Sequence, residues 1–149
     1  MGFAVASVMC KVKAGLAMKL IVLAALVIVQ SACAMDRFAA LSMIESGDDD
    51  AARGQSGEVS RFQIRREVWG QLTNAPVSLA SDPKVAEVVA RKLAAARCEK
   101  FAREHGRPAT DEEFYILWNA PAQIGHPGRS VSERAVRFAN LVGQKESSK

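Results

Sequence analysis

Glu45 closes the segment Ala40-Leu41-Ser42-Met43-Ile44-Glu45-Ser46-Gly47, and a polar, glycine-containing stretch leads from it to Gly57-Glu58-Val59-Ser60-Arg61-Phe62-Gln63-Ile64. A carboxyl at the end of an apolar helical run has the pattern of a general acid. Desolvation by apolar neighbours disfavours its charged form, raises its pKa and keeps a proton available near neutral pH for a leaving-group oxygen. Across from a loop that returns through Phe-Gln-Ile, such a carboxyl suggests a site that cleaves sugars. The distant fragment Phe114-Tyr115-Ile116-Leu117-Trp118-Asn119-Ala120 supports the same chemistry with aromatic and amide side chains. Glu58 is the candidate second carboxylate. Opposite Glu45 it would permit a water-using hydrolysis, but spacing alone does not place it.

Each of these residues also has a plainer reading. A Glu near a helix end is ordinarily solvated. Gln63 and Asn119 are as well suited to capping backbone as to touching a ligand. Trp118 and Phe62 belong more often to a core than to a sugar platform on composition alone. Asp48-Asp49-Asp50 lacks the alternation and terminal Glu of a calcium loop and reads as a solvated loop, so no metal or cofactor is expected. His105 and His126 sit near glycine or proline and receive no role. Cys98, in a helical run without a disulfide partner in the mature part, reads as a small buried hydrophobe.

The elements that must position these groups are mostly helices. Asp36 is an N-cap for a helix reaching about Glu45, with Phe38, Leu41 and Ile44 on one stripe and Gly47 at its stop. Residues 48–60 read as a loop or a small β-hairpin, and Arg65 to Leu72 as a short helix carrying Val68 and Trp69. After a connector containing Pro76, Asp82-Pro83 opens a helix to about His105, with Val85, Val89, Leu93 and Phe101 buried and Gly106 at the stop. Thr110-Asp111-Glu112-Glu113 is a capping box for the helix that carries Phe114 to Asn119. Ser130-Val131-Ser132-Glu133 reads as a second box, opening a last helix with Val136, Phe138, Leu141 and Val142. The expected fold is one mainly α domain with a polar hairpin or loop region.

The start of the chain reads as a leader. Lys19 precedes the ten-residue apolar run Leu20–Val29, and Ala32 and Ala34 form an Ala-x-Ala pattern. That is a secretory signal over residues 1–34, with Met18 as an alternative start and a mature domain over 35–149. The run is short of the roughly 20 apolar residues of a membrane span. Cys33 gives a competing reading as a lipidated residue, although Gln30 departs from the usual lipoprotein box. Soluble export to the periplasm or cell envelope is preferred. Membrane association would then come only through the leader or a lipidated Cys33. The chain has 20 Lys+Arg and 16 Asp+Glu. Lys11, Lys13 and Lys19 fall in the leader, so 17 bases face 16 acids in the mature part and the net charge there is +1. The basic pI is a targeting effect and implies no nucleic-acid partner.

Taken together, these segments resemble the soluble-lytic (SLT, lysozyme-like) family of lytic transglycosylases. That family has Glu-Ser at a helix end, Gly twelve residues on, and then Gly-Leu-Met-Gln-Ile. Glu45-Ser46, Gly57 and Ser60-Arg61-Phe62-Gln63-Ile64 fall in this register, and Leu117-Trp118-Asn119-Ala120-Pro121 matches the later Ala-Tyr-Asn-Ala-Gly. The closing helix from Glu133 to Val142 resembles its family counterpart more weakly. The similarity covers roughly residues 37 to 142. Ser60 stands where the family has Gly, Phe62 for Met, Trp118 for Tyr, Pro121 for Gly, and Phe138 where a Tyr is expected.

The resemblance implies a lysozyme-like fold and non-hydrolytic cleavage of the β-1,4 bond between N-acetylmuramic acid and N-acetylglucosamine. Glu45 would act as acid and then base and leave a 1,6-anhydro sugar. Ser46 would steady Glu45 or nearby backbone, Gln63 and Asn119 would bind N-acetyl groups, and Phe62 and Trp118 would stack on sugar. The implied partners are peptidoglycan strands and an envelope helper protein. Two alternatives stand beside this: a muramidase- or chitinase-type hydrolase on the same fold, and a non-catalytic glycan-binding envelope module. The loss of two tyrosine hydroxyls, at 118 and 138, would weaken the orientation of the acid.

Overall fold

Helix starts and stops follow the local chemistry of the chain closely. The computed structural model describes residues 35–143; the expected leader, its cleavage site and Cys33 lie outside the described residues. Five α-helices and one two-stranded sheet are described: α1 (Arg37–Ser46), β1 (Glu58–Val59), β2 (Ile64–Arg65), α2 (Arg66–Leu72), α3 (Pro83–His105), α4 (Asp111–Asn119) and α5 (Arg129–Gly143). Short 3-10 turns occupy Val77–Ser81 and Pro121–Gln123. None of the described helices is long and apolar enough to cross a membrane.

The caps show why the boundaries fall where they do. Asp36 accepts from the Phe38 N–H to open α1, and Gly47, at φ +67°, closes it with Gly47 N–H on Met43 O and Asp48 N–H on Ser42 O. That left-handed turn suits glycine, which has no Cβ to clash. Asp82 accepts from the Lys84 and Val85 N–H groups ahead of Pro83. Thr110 and Glu113 form the full reciprocal box at α4. The second expected box does not form. α5 begins at Arg129, one residue before Ser130, Glu133 pairs back to Arg129 at 2.8 Å, and the Ser132 hydroxyl turns to the Pro127 and Gly128 carbonyls. Gly128 supplies the backbone turn there, so Ser130 already lies in the first turn.

The core is built around α4. Phe114 through Trp118 are all buried, as expected of a helix surrounded by other elements. Phe114 stacks on Phe138 of α5 at 5.5 Å between centroids, and Tyr115 tilts against the same ring at 5.6 Å. Phe38 meets Phe62 and Phe114 edge to face. Val89, Ala86, Ala90, Ala94 and Phe101 bury one stripe of α3, with Val85 and Leu93 partly covered. Val136, expected on the buried face of α5, is 46% exposed; Val131, Ala135 and Phe138 form that face instead. Trp69 is fully buried and its indole N–H donates to Ala75 O at 2.9 Å, which fixes α2 to the connector.

Candidate active site

Glu45 lies in the last turn of α1, a place chosen by the Ala40-Leu41 side of that helix entering the core. Its neighbours on either side are fastened to the loop that follows. Ser42 donates to Asp48 Oδ1 at 2.6 Å, and Ser46 donates to Arg61 O at 2.9 Å while accepting from the Asp49 N–H. Arg61 pairs with Asp48 at 2.9 Å and Asp50 at 2.5 Å. The aspartate run is largely solvent-exposed, as expected of a solvated loop, and is in addition clamped by a guanidinium from the hairpin. No cluster of His, Cys, Asp or Glu suited to a metal occurs among the described residues.

The hairpin carries the second set of groups. Glu58 faces Arg65 and Val59 faces Ile64 in an antiparallel ladder. Gly57 has φ +85°, and Ser60 and Gln63 take φ +69° and +50°. The last two are left-handed positions held by side-chain bonds: Ser60 Oγ accepts from the Phe62 N–H, and Gln63 Nε2 donates to Ser60 O. Ser60 thus holds the turn that glycine would adopt without strain. Gly54 is required by space. A Cβ there would lie 2.9 Å from Glu58 Cβ and would displace the ends of the Glu58 and Gln63 side chains.

A cleft of about 350 Å³ opens between these segments, within the range of small-molecule sites. Glu45 enters it from α1, Glu58 from β1, Gln63, Ile64 and Arg65 from the turn and β2, and Val68 from α2. Leu93 and Arg97 come from α3, Trp118 and Asn119 from α4, and Arg134 from α5. All five helices and both strands therefore contribute, and the motif segments far apart in sequence meet here.

The electrostatics centre on Glu45. Burial raises its carboxyl above the usual value, and the negative charge of Glu58 adds to that; Tyr115, Arg134 and Asn119 oppose it. Glu45 Oε1 and Tyr115 Oη are both buried, and neither meets a hydrogen-bond partner of regular geometry. The Tyr115 hydroxyl is itself pushed upward, by burial first and then by the adjacent Glu45. Arg97 donates from Nη1 to Leu117 O at 2.9 Å and to Trp118 O, which caps the end of α4, and burial lowers its pKa.

Of the expected site residues, Glu45, Glu58, Gln63, Trp118 and Asn119 share this cleft. Two do not line it. Phe62 is 2% exposed and packs edge-on against Phe38, because the left-handed Ser60 turns it into the core. Ser46 spends its hydroxyl on loop backbone, which matches the expectation that it steadies backbone and not that it touches substrate. Trp118 is both core and wall, at 7% exposure.

Tyr115, Arg65, Arg97 and Arg134 were not identified from the sequence. Tyr115 lies four residues before Asn119 and so on the same helical face. Arg97 interrupts the four-residue spacing of Val89, Leu93 and Phe101 with a charge, which is a legible sign of a functional gap in a buried stripe. Arg134 and Arg65 carried no such signal.

Compared with protein-family models, curated proteins and solved structures, the chain finds no match.

Proposed function

We propose that this protein is a lytic transglycosylase acting on peptidoglycan strands on a lysozyme-like scaffold, with Glu45 as acid and then base. The observation that carries the reading is Glu45 itself. It is a half-buried carboxyl whose inner oxygen, Oε1, is buried without a hydrogen bond of regular geometry, and it lines a cleft to which all three motif segments contribute. Burial raises the pKa of Glu45 and so favours its protonated form. Glu45 donates the proton to the glycosidic oxygen as the bond breaks, and the substrate's N-acetyl group supports the positive charge at the anomeric carbon. The carboxylate then takes the proton of the muramyl 6-hydroxyl as that oxygen closes on the anomeric carbon. Tyr115 supplies the hydroxyl beside the acid that Trp118 and Phe138 lack, and it steadies the carboxylate between the two steps. Asn119 and Gln63 bind N-acetyl groups, and Trp118 stacks on a sugar face. Export through the N-terminal leader brings the enzyme to its polymer, and an envelope helper protein directs it there.

Glu58 supports a second reading, a muramidase- or chitinase-type hydrolase, because it lines the same cleft as Glu45. Digestion of peptidoglycan followed by mass spectrometry separates the two. Products lighter by one water, absent with Glu45→Gln, are expected. Reducing-end products of full mass would replace the transglycosylase with the hydrolase. No products from folded protein would leave a non-catalytic glycan-binding module.

A further inference from the structure

The cleft is lined by three guanidinium groups, and none of them has a carboxylate partner among the described residues. Arg37, Arg61, Arg91, Arg107 and Arg129 all form ion pairs elsewhere, whereas Arg65, Arg97 and Arg134 form none. Other exposed arginines such as Arg103 are also unpaired, but they do not converge on a cavity. The cleft's own carboxyl groups form no ion pair with the three, although Glu45 feels the charge of Arg134. Glu58 lies opposite Arg65 in the ladder, yet its Oε2 accepts from the Ser56 N–H at 2.9 Å and makes no ion pair. Arg97 uses Nη1 on two carbonyls and leaves Nε and Nη2 without a partner among the described residues. Arg97 is also half-buried, where a guanidinium without a counter-charge is costly. Three guanidinium groups thus face two carboxyl groups, Glu45 and Glu58, and the lining is net positive.

We infer that the cleft selects a sugar unit that bears a free carboxylate, gripped by Arg65 and Arg97, with Arg134 adding positive potential at the Glu45 end. Planar guanidinium forks match carboxylates with paired, charge-assisted hydrogen bonds, which neutral hydroxyls and amides do not provide. The inference rests on the glycan reading of the same cleft and sharpens it. In peptidoglycan the sugar-borne acid is the lactyl carboxylate of the muramyl residue, which is free where the peptide has been removed. Peptide-free strands are then the preferred substrate.

The test uses protein produced from the full-length sequence and three glycan preparations. These are peptide-free strands, the same strands with carboxylates coupled to methylamine, and strands still carrying peptide. Cleavage is followed as kcat/KM, and binding is followed separately by co-sedimentation of the Glu45→Gln protein. The free-carboxylate strands should be favoured about tenfold over the methylamide in both assays, the size of one charge-assisted contact. Arg65→Gln, at an exposed position, should reduce that preference to about threefold or less, and Arg103→Gln on an outer surface should leave it intact. Equal binding of carboxylate and methylamide strands overturns the inference, as does a preference for peptide-bearing strands. Preference without any cleavage supports it while removing the transglycosylase reading. Cleavage without preference does the reverse.

Discussion

Two glutamates at helix ends receive opposite treatment. Glu113 sits in the first turn of α4, where the helix dipole favours a negative charge. Both of its oxygens receive Arg107 nitrogens, at 2.6 and 2.7 Å, and the Thr110 N–H completes the box at 2.9 Å. Those partners hold its carboxyl down at about 2. Glu45 sits in the last turn of α1, where the dipole disfavours a negative charge. It is half-buried, its Oε1 lacks a hydrogen bond of regular geometry, and burial pushes its carboxyl above the usual value. A carboxyl placed to stabilise a fold is charged and saturated with donors. One whose charged form is disfavoured by burial in a cleft, at the expense of stability, has the character expected of the proposed proton donor.

Substitution of Glu45 should therefore show the largest contrast. Glu45→Gln keeps the shape and removes the titrating proton, and cleavage should fall by about 10²–10⁴-fold, the range for a lost general acid. Stability should move the other way. Because the native state holds its proton to higher pH than the unfolded state does, wild-type stability declines as pH rises from about 4.5 through the raised pKa. The Gln variant lacks that decline and should melt higher than wild type at neutral pH, measured by circular dichroism. Loss of activity with a lower melting temperature would mean that Glu45 is a structural group.

Tyr115→Phe is expected to be the next largest, at about tenfold in kcat, since it removes a hydroxyl beside the acid without altering the ring contact with Phe138. Tyr115 favours the charged form of Glu45. Its loss should move the alkaline limb of the pH–rate profile upward, an effect that a merely structural role would not produce. The buried hydroxyl has no partner of regular geometry, so stability should hold or rise by about 1 kcal/mol.

Glu113→Ala should leave kcat unchanged and lower stability by about 1 kcal/mol, the worth of a helix cap with a solvent-screened ion pair. Since the folded carboxyl is depressed, that contribution is present above about 4.5 and disappears as pH falls toward about 2. The stability difference between variant and wild type, traced by denaturant melts, should therefore close in acid.

How much of this was legible in the sequence depended on whether the signal was local. Asp36, Gly47, Asp82-Pro83 and the Thr110 box announce their elements through short-range bonds, and each element lies close to where those residues put it. The box at Ser130 failed because Gly128 offered a competing start two residues earlier. Glu45 could be found by its place after an apolar run. Tyr115 could not be assigned from its neighbours, because what aims it is Phe138 packing from another helix. The clamp of Arg61 on Asp48 and Asp50 was equally hidden: a solvated charge run carries no mark of the cation that the hairpin folds against it. Phe62 is core, as its composition suggested, and not the sugar-facing wall that the family resemblance implied, since the left-handed turn at Ser60 sends its ring inward.

That turn gives the smallest effect. Ser60 is fully buried at φ +69°, a conformation that disfavours a residue with a Cβ by about 1–2 kcal/mol. Its Oγ recovers part of this by accepting from the Phe62 N–H at 3.2 Å, a bond worth about 0.5–1.5 kcal/mol. In Ser60→Gly the backbone relaxes and the bond is lost, so the two terms nearly cancel and stability should change by less than about 1 kcal/mol. Ser60→Ala keeps the Cβ and loses the bond. It should be the less stable of the two variants by about 1 kcal/mol, read from paired denaturant melts. An alanine variant as stable as the glycine would show that the hairpin holds its left-handed turn through the Gln63 and Arg61 contacts alone, and that the Ser60 hydroxyl contributes nothing to the wall that carries Glu58.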